Sequence, residues 1–139
     1  MSAPAGGTAR TRAWPRIVAW GLAYFVIGTV TAALARGHGV HAWRLAAWLL
    51  SAVAFAAQIW FERIGAGAVP TKTALRAALA VALGGFLLAA WATVHALSGG
   101  RARVGAQLVA LVAWPVLLAI PAFLAALAAA AVLRGKRTA

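Results

Sequence analysis

Four runs of mostly apolar residues, each about twenty long or longer, leave this 139-residue chain little choice of fold. A run of that length crosses the hydrocarbon core of a bilayer as a helix, because a helix satisfies its own backbone donors and acceptors where no water can. Short breaks rich in Gly, Pro and basic residues part the runs. The class implied is all-α: a polytopic integral membrane protein, an up-down bundle of four transmembrane helices at about 14–35, 42–62, 74–97 and 104–133. They form one domain, 14–133, between a disordered basic tail at 1–13 and a basic tail at 134–139. A cleaved secretory signal is the rival reading of the first run, with Arg10, Arg12 and Arg16 ahead of Ala33-Leu34-Ala35. The apolar stretch from Ile17 to Leu34 exceeds the roughly 7 to 15 residues of such signals, and an uncleaved helix is favoured.

The second run organises the reading, since it ends on Glu62, the only acidic residue in the chain. At 3.6 residues per turn, Arg44, Trp48, Ser51, Phe55, Gln58 and Glu62 fall within an arc of roughly 80°. A polar stripe on a membrane helix is expected to face protein or water rather than acyl chains. Glu62 sits at the C-terminal end of its helix, the unfavourable end for an anion, so it calls for a cation. Arg63, Lys72, Arg76 and Arg16 are the candidates at that level. Two roles follow, a structural ion pair or a proton- or cation-coupling acid reached along Gln58 and Ser51.

Packing signals lie on the first and third runs. Gly21, Tyr24, Gly28, Thr31 and Ala35 make one stripe, on which Tyr24 and Thr31 can hydrogen-bond across to a neighbour. Ala78, Ala82, Gly85, Ala89, Thr93 and Ala96 make a second, with the small-x-x-x-small spacing that lets membrane helices come close. Thr71 or Thr73 is expected to cap the third helix. Pro115 and Pro121 should kink or divide the fourth. Trp14, Trp43 and Trp60 fall near span ends, whereas Trp20, Trp48, Trp91 and Trp114 lie deeper and are expected between helices.

The formal net charge of +12 raises the question of nucleic acid, but the cations flank hydrophobic spans instead of lining one groove. Anionic headgroups of a lipid bilayer are the expected partner, and no nucleic acid. Nine of the thirteen Lys and Arg fall on the two tails and the loop after the second run, four on the other two loops, so both termini are expected in the cytoplasm.

Chemistry finds little support. One carboxylate and no Cys exclude paired-acid mechanisms and thiolate sites, and no phosphate loop is present, so no enzymatic activity is expected. His41 and His95, with His38 nearby, could ligate a haem or a metal, but no acid is available there to orient an imidazole and interfacial hydrogen bonding is the plainer role; no cofactor is expected. The single membrane acid invites comparison with small multidrug-resistance transporters, whose essential glutamate lies in the first helix, where this chain has none. The signatures of the four-span fluoride channels are also missing, as the chain has no Asn. The expectation is a non-enzymatic subunit or scaffold packing with itself or a larger membrane complex, the alternative an oligomeric channel or transporter using Glu62, Gln58, Ser51 and Arg44.

Overall fold

The computed structural model describes residues 13–36, 39–65, 69–99 and 104–135. Four helices follow one another: α1 (Ala13–Leu34), α2 (Val40–Trp60) continued by a π-helical turn (Phe61–Gly65), α3 (Pro70–Ser98) and α4 (Val104–Gly135). All four are long and apolar enough to cross a membrane, which makes this a multi-pass membrane protein. The tail expected at 1–13 lies, but for Ala13, outside the described residues, as do His38, Arg101, Arg103 and residues 136–139.

Helix ends follow local chemistry. Gly39 turns the chain into α2 with φ +70°, a left-handed conformation that costs glycine nothing, and its carbonyl accepts from Trp43 N at 3.1 Å. The third helix begins at Pro70 and not near residue 74, because a proline in the first turn gives up only a donor that would be unpaired anyway. No side chain caps it; Thr73 lies buried within the first turns. The fourth helix runs through Pro115 and Pro121 without dividing.

The hub is α3, not the second helix as the polar stripe suggested. It is the most buried span and packs along α4 on one side and α1 on the other, while α2 rests mainly against α1 and reaches α3 and α4 more narrowly. Two faces of small residues make this central position available. Toward α4, Gly85 sits against Leu118 and Pro115, and Thr93 Oγ1, which donates to Ala89 O, lies 3.4 Å from Gln107 Oε1. Ala78 is buried, with Ala82 and Ala89 half-buried on that stripe. Toward α1, Ala80 packs on Ile17 and Tyr24, and Gly84 meets the α1 backbone at Gly21. Gly21 in turn receives Leu83, and Gly28 receives Leu88. Rising residue numbers pair with rising ones here, so α1 and α3 run in the same direction, with α2 and α4 opposite.

Other expectations need correction. Thr31 does not bond across helices; its hydroxyl donates to its own Ile27 carbonyl at 2.7 Å, which serves a lone hydroxyl in an apolar helix without a partner. Trp48 and Trp114 are exposed on the bundle's outer surface, whereas Trp20 and Trp91 are half-buried.

The α1–α3 crossing yields a test. A methyl group on Gly84 would come within 3.0 Å of the Gly21 backbone oxygen and 2.7 Å of Tyr24 Cβ, neither of which can move without shifting a helix. On Gly21 it would meet the Leu83 side chain alone, 2.7 Å from Cδ2, which can rotate away, and 3.1 Å from Cβ, which can give only slightly. Alanine gains roughly 1 kcal/mol in helix propensity, while overpacking costs about 1–3 kcal/mol. Thermal unfolding in detergent is expected to show Gly84→Ala clearly more destabilised than Gly21→Ala; equal effects would contradict this crossing.

Candidate functional site

The buried ion pair and amide gather at one end, where the last turns of α2 touch all three other helices. An α-helix places Gln58 and Glu62 one above the other, four residues apart. Both are buried, Glu62 to 2% side-chain exposure, and Glu62 and Arg63 lie in the π-helical turn that continues α2, where they serve different neighbours.

Together the contacts join α2 and its π-helical turn to all three other helices. Arg76 Nη1 of α3 donates to Glu62 Oε2 at 2.6 Å, a short charge-assisted bond with the arginine side chain 24% exposed. Tyr24 Oη of α1 donates to Gln58 Oε1 at 2.9 Å, and Gln58 Nε2 lies at the limit of a hydrogen bond, 3.5 Å, from the Arg76 carbonyl. Arg63 Nη2 donates to the Ala130 carbonyl of α4 at 3.2 Å. The Arg16 guanidinium of α1 lies 5.8 Å from the Phe61 ring centre, within range of a cation–π contact. Beneath this layer Ile59, Ala74, Ala77 and Ala126 form an apolar core, to which Phe55, Phe123 and Leu127 add bulk.

The stripe read from the sequence is therefore split. Glu62 and Gln58 point inward, Phe55 and Ser51 are half-buried, and Trp48 and Arg44 are exposed, Trp48 to 77%. Its N-terminal half faces outward because α2 approaches α3 and α4 only near its C-terminal end. Of the four candidate cations, Arg76 takes Glu62, while Lys72 and Arg16 are exposed and Arg63 turns to α4.

Tyr24 was legible as a cross-helix donor, but nothing in the sequence named Gln58 as its acceptor. Gly84 was missed altogether. Its signal was a second small series, Thr73, Ala77, Ala80 and Gly84, at helical spacing on the other side of α3. His41 and His95 are exposed, and the His95 ring packs on Trp91 of its own helix with centroids 4.3 Å apart. Among the described residues no three His, Cys, Asp or Glu side chains are grouped to hold a metal ion.

Chemically, Glu62, Gln58, Tyr24, Arg63 and Arg76 each meet a partner on another helix, an arrangement suited to fixing helix positions, while the buried Thr73 hydroxyl in the first turns of α3 meets none. Comparison with protein-family models, with curated proteins and with solved structures finds no match.

Unequal weights are expected from these contacts. Breaking a fully buried ion pair from one side costs about 3–5 kcal/mol, and partial exposure of Arg76 lowers that to roughly 2–4 kcal/mol for Glu62→Gln. Tyr24→Phe, which removes one neutral hydrogen bond, should cost about 1 kcal/mol. Arg44→Gln, on the exposed part of the same helix, should stay within about 0.5 kcal/mol. Reversible unfolding in mixed micelles checks the order, and an Arg44 variant as damaging as the Glu62 variant would contradict it.

Proposed function

We propose that this protein is a non-enzymatic membrane subunit or scaffold that packs with itself or with a larger membrane complex. The observation that carries the reading is the use made of the lone carboxylate: Glu62 is closed off by Arg76 and stacked below Gln58, whose amide is engaged by Tyr24, so this polar pair joins the chain's own helices. A conducting path would need Glu62, Gln58, Ser51 and Arg44 to line one channel. Two of these turn into the bundle and Arg44 turns out of it, which supports the assembly reading over the transport one.

The surface on which such a subunit packs is proposed on α2, where Leu45, Trp48, Leu49 and Val53 are exposed beside Arg44. A second copy has no spare acidic side chain to offer Arg44, so self-association there would rest on van der Waals packing alone. Both termini are proposed to be cytoplasmic, because the end of the bundle that holds Arg16, Arg63, Lys72 and Arg76 also leads to the basic C-terminal residues.

Purified protein reconstituted into liposomes is expected to pass protons and monovalent cations no faster than protein-free vesicles. Glu62→Gln should change thermal stability or assembly and leave that leak unaltered. A flux that exceeds the protein-free level and disappears in a folded Glu62→Gln variant would replace the scaffold with the channel. Terminal tags on intact cells should resist added protease; cleavage of either would reverse the orientation.

A further inference from the structure

Between α3 and α4, toward the end that carries the polar cluster, lies an apolar groove of about 320 Å³. That is at the lower end of the volumes that hold small ligands. Ala78 and Ala119 are the small residues lining it, flanked by Leu75 and Leu79 on one helix and Ile120, Phe123 and Leu124 on the other. Leu75, Leu79, Ile120 and Leu124 are exposed, so the groove opens to the outside of the bundle, and its lining offers no polar surface. The same small residues that let α3 and α4 approach leave this furrow between their larger neighbours.

A cation precedes it on α3. Lys72 is exposed in the first turn of α3, and at 3.6 residues per turn Leu79 lies within about 20° of it and Leu75 within about 60°. Leu75 is about 4.5 Å further along the helix axis, so the first lining residue of the groove lies nearly one turn beyond Lys72. The only carboxylate side chain of the chain is already taken by Arg76. No other acidic side chain exists to neutralise Lys72, which leaves it open to an anion from outside the protein.

We infer that this furrow is a binding site for an anionic phospholipid, its phosphate on Lys72 and one acyl chain laid along Ala78 and Ala119. The two halves of the site ask for different chemistry, and a single amphiphile supplies both: a negative headgroup at the membrane surface and a hydrocarbon chain directly beneath it. A zwitterionic lipid offers the chain without net charge, and inorganic phosphate offers the charge without the chain. The site stands apart from the scaffold reading, since it uses neither the Glu62 cluster nor the exposed face of α2.

The test uses the full chain in detergent, titrated with phosphatidylglycerol, phosphatidylcholine or inorganic phosphate, and read by native mass spectrometry and thermal shift. Phosphatidylglycerol is expected to be retained and to raise the melting temperature more than either control. Lys72→Gln should weaken its binding about five-fold, the loss of about 1 kcal/mol of headgroup attraction, while Arg36→Gln, exposed at the opposite end, should not. Ala119→Phe, which fills the furrow, should weaken phosphatidylglycerol and phosphatidylcholine alike. Equal retention of the two lipids by wild type, or equal losses in the Lys72 and Arg36 variants, would overturn the site; stabilisation by phosphate alone would replace it with a simple anion site.

Discussion

A carboxylate carried into a bilayer has to be neutralised by a partner of its own, and this chain contains one acid and thirteen Lys and Arg to choose among. The choice of Arg76 fixes more than a charge. It draws the end of α2 to the start of α3, at a level where Gln58 can take the Tyr24 hydroxyl from α1 and Arg63 can reach a carbonyl of α4. Helices in lipid gain nothing from hiding apolar surface, so contacts of this kind, with close backbone packing, are what hold such a bundle together.

Close packing acts elsewhere, along α3. With Gly84 on one side and Gly85 on the other, this helix meets α1 and α4 within van der Waals reach of their backbones. The polar cluster and the glycine crossings divide the labour. Crossings set how closely α1, α3 and α4 lie, and the cluster sets where α2 attaches. Elsewhere α2 leans on α1 and leaves its other face uncovered, which is where Arg44 and Trp48 look outward.

Much of this could be read from the residues. Run length alone gave the four spans, and the uniqueness of Glu62 together with its four-residue spacing from Gln58 marked the pair and its level in the membrane. The limits were geometric. Arg76 was one of four cations at the same level, and only the three-dimensional register of α2 against α3 distinguishes it from Lys72 four residues earlier. The polar stripe was continuous in angle but not in neighbours, because a helical arc says which residues share a face and not how far along that face another helix stays in contact. Gly84 escaped because an adjacent glycine already explained the spacing, and a helix central enough to need two small faces cannot be recognised from one alone. The third helix is expected four residues late because Pro70 falls in a Gly- and Pro-rich break, although proline ends a helix or begins one according to the turn it occupies.

The central claim is that the Glu62–Arg76 contact attaches α2 to the rest of the bundle, and exchanging the two charges tests it most directly. Glu62→Arg places like charges together and should unfold or strongly destabilise the protein, as should Arg76→Glu, which buries two carboxylates. Combining them restores the pair in reverse, and the double variant is expected to recover most of the lost stability, with a coupling energy of about 1–3 kcal/mol in micelles. Strictly additive losses, with the double variant worse than either single one, would show that α2 is held by something other than this ion pair.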